Sequence, residues 1–135
     1  MTEKELTVDA VIDNVRTVTD FVNGLLEAAD CPPKLQLQMD VVIDEVFSNI
    51  ALYAYAPEKG TATVRIRIDE AAVTLTFSDS GVPFDPLARE DADTSPEALK
   101  ARVGGLGILI VKKTMDEVRY AYSDGKNILT VVKRF

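Results

Sequence analysis

Histidine is absent from the 135 residues, and this excludes more than any other feature of the composition. Without it there is no Ser-His-Asp triad, no histidine-ligated zinc and no phosphohistidine formed on this chain. A general base must then be a carboxylate, a lysine or a tyrosine, and a divalent ion would be Mg²⁺ on oxygen ligands. Cysteine is nearly absent: Cys31, alone, can form no internal disulfide and has no metal-ligating neighbours, which fits a reducing cytoplasm. No apolar run approaches the ~20 residues of a membrane span, and Met1-Thr2-Glu3-Lys4-Glu5 does not read as a signal peptide. Basic residues are the minority, 15 against 22 acidic for a net charge of −7, and they are scattered. That balance argues against direct contact with nucleic acid. The expectation is a cytoplasmic protein with neither membrane nor nucleic acid as a direct partner.

What is present makes a soluble globular domain: 47% hydrophobic and 27% charged residues, in a length that suits one domain over residues 1–135. The strongest pattern lies in residues 33–55. Met39, Val42, Ile43, Val46, Phe47, Ile50 and Ala54 recur at three- and four-residue steps, one apolar stripe of a helix that Pro33 suits as a first-turn residue. Before it, Glu5-Leu6-Thr7-Val8 reads as a short edge strand and Asp9 as an N-cap. Val11/Ile12, Val15, Val18, Val22, Leu25/Leu26 and Ala29 then mark a first helix that stops at the Pro32-Pro33 pair.

After the turn cluster Ala56-Pro57-Glu58-Lys59-Gly60, Val64, Ile66 and Ile68 alternate with Arg65 and Arg67. A four-residue turn later, Val73, Leu75 and Phe77 alternate with Thr74, Thr76 and Ser78, an antiparallel hairpin with one buried face. The prolines and glycine of Gly81-Val82-Pro83-Phe84-Asp85-Pro86 forbid regular structure there, and the polar stretch 87–103 reads as a mobile lid. Gly104-Gly105-Leu106-Gly107 opens a third helix, Ile108 to Met115. Val118–Tyr122 and Ile128–Val132, joined through Ser123-Asp124-Gly125-Lys126-Asn127, close the chain as a second hairpin. The order β-α-α-ββ-loop-α-ββ rules out a doubly wound parallel sheet. It predicts an α+β two-layer sandwich: a mixed, mostly antiparallel sheet with helices on one face.

Three constellations carry possible chemistry. Glu45 and Asn49 stack one turn apart on a flank of the apolar stripe, placing a carboxylate and an amide at the edge of a core; such pairs also occur on ordinary amphipathic helices. Asp79 leaves a buried strand two residues before Gly81. Its carboxylate only accepts hydrogen bonds and would suit an amino group such as that of adenine, and Gly81 would permit a positive-φ turn, although Asp-x-Gly is also a common turn. Gly104-Gly105-Leu106-Gly107 at a helix start exposes backbone N–H groups suited to phosphate, or serves as a hinge.

In this order, Glu-x-x-x-Asn, Asp-x-Gly-x-Pro-Phe, a polar lid and Gly-Gly-Leu-Gly before a helix resemble the GHKL nucleotide-binding superfamily, of the Bergerat fold type. Its members include gyrase B, MutL and the ATP-binding domain of histidine kinases. Within it the chain is most similar to the anti-sigma factor serine/threonine kinases of bacteria. Asn49-Ile50-Ala51-Leu52-Tyr53-Ala54-Tyr55 and the stretch from Gly104 through Ile108 to Met115-Asp116-Glu117-Val118 are especially close to that branch.

The resemblance implies ATP and Mg²⁺ as cofactors and serine/threonine kinase activity on a small anti-sigma-factor antagonist. It further implies sequestration of an RNA polymerase sigma factor, and a homodimer. It makes Glu45 the general base or orienting carboxylate for the hydroxyl, Asn49 the Mg²⁺ ligand, Asp79 the adenine acceptor and Gly81 the turn beneath it. Gly104, Gly105, Leu106 and Gly107 would form the phosphate loop, with Arg102 as charge partner and Thr130 near the adenine. One position departs: the family usually carries a histidine four residues after the asparagine, and here it is Tyr53. The alternative is a module of the same fold that uses nucleotide to gate a partner without phosphoryl transfer. The catalytic fragment of a histidine kinase is set aside, since neither a dimerisation helix pair nor a histidine is found.

Overall fold

The computed structural model describes residues 1–55, 58–88 and 105–135. Among these residues five strands, β1 (Thr2–Asp9), β2 (Thr61–Ile68), β3 (Ala72–Asp79), β4 (Glu117–Ser123) and β5 (Lys126–Arg134), form one sheet in the order β1-β2-β3-β5-β4. Every pairing is antiparallel, so the sheet expected to be mostly antiparallel is wholly so among the described residues. Among the described residues three α-helices, α1 (Val15–Ala28), α2 (Pro33–Asn49) and α3 (Gly105–Thr114), complete the expected α+β architecture. No helix among the described residues is long and apolar enough to cross a membrane.

The two layers follow from strand alternation. Val64 and Ile66 of β2, Val73, Leu75 and Phe77 of β3, and Leu129 and Val131 of β5 share one buried face, and the helices cover it. From the helical layer come Val18, Val22 and Leu26 of α1, and Met39, Val42, Ile43, Val46 and Phe47 of α2. All seven residues of the expected α2 stripe are buried. Each large side chain removed from water contributes about 1.5–3 kcal/mol before chain entropy is subtracted. On the opposite face Arg65 and Arg67 are exposed and Thr74, Thr76 and Ser78 half-buried.

Several boundaries differ from the sequence reading, each for a local reason. β1 runs through Asp9 and pairs along its whole length with β2, so Asp9 is a strand residue rather than an N-cap. A 3₁₀ turn, Ile12–Asn14, then leads into α1, and Val11 and Ile12 lie exposed instead of on the helical stripe. α1 closes with Asp30 in the left-handed region (φ 57°), where the Cys31 N–H reaches the Leu26 carbonyl and the Asp30 N–H the Glu27 carbonyl. This six-to-one, five-to-two closure ends the helix before the prolines are reached. The β4–β5 connection is only Asp124-Gly125, both at positive φ (54° and 76°), the two-residue turn whose twist matches antiparallel strands. α3 begins inside the glycine run, at Gly105. Most of the lid expected over 87–103 lies outside the described residues; Pro86–Ala88 form a 3₁₀ turn, and Leu87 packs on the core.

Candidate functional site

The site is built around the C-terminal end of α2. There the helix loosens into a turn of π-helix, Ile50–Ala54, a feature often found at functional sites because it redirects backbone groups. Glu45 and Asn49, one turn apart, are both half-buried, and the Asn49 amide donates to Glu45 Oε1 at 3.1 Å. With its nitrogen engaged, Asn49 keeps its carbonyl oxygen for a ligand. Burial pushes the Glu45 pKa above the ordinary carboxylate value; the Asn49 hydrogen bond opposes this and the Asp44 charge adds to it. The first turn of α3 lies directly against this carboxylate: a Cβ on Gly107 would overlap the Glu45 side chain.

The second wall comes from the end of β3. Asp79 is only 7% exposed. Its Oδ1 accepts from the Gly81 N–H at 2.9 Å and from the Asn127 amide at 3.0 Å. Its other oxygen accepts no hydrogen bond among the described residues, yet keeps some accessibility at the cavity wall. Gly81 does not adopt positive φ, contrary to the turn expected of it. Glycine is required there by close approach: a Cβ would run into the Ala54 carbonyl, which accepts the Val82 N–H at 2.9 Å. Thus the π-turn and the loop after β3 are joined backbone to backbone.

Between these walls lies a cavity of about 120 Å³, whose apolar sides include Val46, Ile50, Phe77, Ile108 and Leu129. Asn49, Asp79, Tyr53 and Asn127 reach it as polar groups. Of the expected site residues, Asn49 and Asp79 line this space; Glu45 and Gly81 are hydrogen-bonded to them, and Gly107 lies against Glu45. Gly105 supplies the first residue of α3, and the Leu106 backbone continues it. Arg102 and Gly104 lie outside the described residues.

Thr130 does not join the site. It pairs with Thr76, on the sheet face away from the helices, because β5 alternates with Asn127, Leu129 and Val131 facing inward. The residue opposite Asp79 is Asn127. Its signal was the two-residue period 127-129-131, obscured by the uninterrupted run Ile128-Leu129-Thr130-Val131-Val132, which fits either phase. Tyr120 was also missed; its hydroxyl donates to Asn127 Oδ1 at 2.5 Å.

A half-buried carboxylate–amide pair against a glycine-opened helix, and a buried aspartate at an apolar cavity, make a candidate small-molecule site on a two-layer α+β fold. The family model described as the histidine kinase-like ATPase domain matches residues 8–133, and the chain belongs to that family. The resemblance drawn from the motifs is thereby borne out at the level of the superfamily.

Among curated relatives, the serine-protein kinase RsbW of Listeria monocytogenes serovar 1/2a is 28% identical over 96 residues, 67% of this chain and 61% of that protein. The serine/threonine-protein kinase BtrW of Bordetella bronchiseptica is 26% identical over 99 residues, 73% of this chain and 70% of that protein. RsbW of Bacillus cereus (strain ATCC 10987 / NRS 248) is 28% identical over 97 residues, 67% and 59% respectively. The match thus spans about three-fifths of the length of the RsbW relatives.

Proposed function

We propose that this chain binds ATP with Mg²⁺ and transfers the γ-phosphoryl group to a serine or threonine of a small regulatory protein. The observation that carries the reading is Asp79: a buried carboxylate with one oxygen held by Gly81 and Asn127 and the other unpartnered among the described residues, at an apolar cavity. An acceptor oxygen open only to a narrow apolar cavity favours a ligand that brings a donor, and the amino group of adenine is a fitting donor for it. The remaining groups suit the rest of the nucleotide. Asn49 offers one neutral oxygen, which fits Mg²⁺, an ion that keeps several waters and relies on phosphate oxygens. When bound, the ion neutralises phosphate charge as the bond to the leaving oxygen breaks.

Glu45 is the residue we assign to the proton. Its carboxylate accepts the hydroxyl proton of the substrate serine as that oxygen bonds to the γ-phosphorus and ADP leaves with the former bridging oxygen. Burial, by raising its pKa, makes it a better base than a carboxylate in water. The names of the relatives, serine-protein and serine/threonine-protein kinases, support transfer to a hydroxyl side chain. On the motif resemblance we further propose that the substrate is an anti-sigma-factor antagonist and that the chain, as a cytoplasmic homodimer, sequesters a sigma factor.

A second reading, nucleotide-gated binding without transfer, draws on Tyr53, which lines the cavity where the related kinases usually carry histidine. Incubation with ATP labelled at the γ-phosphate and small co-encoded regulatory proteins separates the two. Label on a serine or threonine of one of them upholds the kinase reading. Nucleotide binding with no transfer to any partner favours the gate, and no nucleotide binding overturns both.

A further inference from the structure

Asn127 uses its whole hydrogen-bonding capacity inside the protein. Its Nδ2 donates to Asp79 Oδ1 at 3.0 Å and to the Val82 carbonyl at 2.8 Å, while its Oδ1 accepts from the Tyr120 hydroxyl at 2.5 Å and the Phe84 N–H at 3.0 Å. An amide has two donor hydrogens and two acceptor lone pairs, and all four are committed. The residue is 7% exposed. It therefore lines the cavity without a hydrogen bond to spare for a ligand.

This arrangement fixes two things at once. The two Nδ2 hydrogens can be directed at Asp79 and Val82 only if Oδ1 faces Tyr120 and Phe84, so the amide cannot flip without losing all four bonds. The donor aimed at Asp79 joins the Gly81 N–H on the same carboxylate oxygen, which stops the carboxylate rotating and dedicates the other oxygen to the cavity. The bonds to Val82 and Phe84, which line the same cavity, also tie the loop after β3 to β5.

We infer that Asn127 is a positioning residue for base selection: it holds Asp79 so that a single acceptor oxygen meets the ligand, and thereby selects a purine bearing an amino group at that point. The inference rests on the nucleotide-binding reading above. Asn127 touches the carboxylate and not the base, so its loss should change discrimination between bases more than affinity for phosphates.

The test compares ADP with inosine diphosphate, in which a carbonyl replaces the amino group. Asn127→Asp keeps the oxygen that accepts from Tyr120 and Phe84 but replaces the donor to Asp79 with an acceptor. Titration calorimetry on the full chain should show the wild type preferring ADP over inosine diphosphate. In the variant that ratio should fall about tenfold or more, as expected when a buried hydrogen-bonded charge loses its donor, with pyrophosphate affinity unchanged. Circular dichroism checks that the variant is folded. Should it not fold, Tyr120→Phe, which keeps the ring and deletes only the hydroxyl that fixes the Asn127 amide, should lower the ratio several-fold.

An unchanged ratio in a folded variant overturns the positioning role while leaving nucleotide binding intact. Equal loss for ADP, inosine diphosphate and pyrophosphate also overturns it, since that pattern marks a purely structural residue. A wild type that binds none of the three removes the function reading and this inference together.

Discussion

The Glu45 carboxylate and Gly107 are in such close contact that a Cβ at Gly107 would overlap the carboxylate where it stands. The same is true of Gly81 against the Ala54 carbonyl, but the two contacts differ in what can give way. Glu45 is the end of a flexible side chain, whereas Ala54 presents backbone. Gly107→Ala should therefore leave stability within about 1 kcal/mol, because alanine favours the helix and Glu45 can swing aside. Phosphoryl transfer should fall by ~10²–10⁴-fold as the base leaves its place. Gly81→Ala should cost about 1–3 kcal/mol by overpacking, with the Val82 bond to Ala54 strained. Denaturant unfolding of both variants beside a transfer assay measures the contrast.

Glu45→Gln separates charge from shape. The folded pKa of Glu45 is raised by burial, so the folded chain binds its proton more readily than the unfolded chain does. Its contribution to stability is present below the ordinary carboxylate value of 4.5 and is lost as pH rises through the higher folded value. At neutral pH the charged form is a net cost. The neutral glutamine should raise the melting temperature at about pH 7–8, and that gain should vanish toward about pH 4. Phosphoryl transfer should drop ~10²–10⁴-fold, with ADP affinity little altered, since Asn49 can still donate to the glutamine oxygen.

Asp79→Asn tests the acceptor directly. The Gly81 and Asn127 donors can still bond the asparagine oxygen, so the fold should persist. The new amide then turns hydrogens toward a ligand amino group. ADP affinity should weaken by about 1–3 kcal/mol, read by calorimetry; wild-type affinity would remove Asp79 from the site.

Tyr55 holds the base of the site from outside the cavity. Its hydroxyl donates to the Thr61 carbonyl at 2.6 Å and accepts from the Ser80 N–H at 2.7 Å, joining the start of β2 to the end of β3. Gly60 passes so close to the ring that a Cβ there would overlap it. Tyr55→Phe keeps the ring and should cost about 1–3 kcal/mol for two hydrogen bonds. Because the lost bonds anchor the segment between Asp79 and Gly81, ADP affinity should fall with them. Urea denaturation and calorimetry on the same variant check both.

Much of this molecule could be read from the order of its residues. The α2 stripe, the β2–β3 alternation and the glycines at α3 are local patterns, and helix or strand period converts them directly into faces. That is why Glu45 and Asn49 fell on one flank and Asp79 at a strand end without any knowledge of the fold. What tertiary structure alone decided was everything that depends on register and close approach. Pairing with β3 decided which face of β5 points inward: it set Asn127 opposite Asp79 and turned Thr130, expected near the adenine, to the other face of the sheet. Gly81 and Gly107 owe their identity to backbone and side-chain atoms 27 and 62 positions away, Ala54 and Glu45, which no local period announces. A one-residue phase in a strand costs nothing in a composition or a spacing, but it moves a side chain across the whole thickness of the sheet.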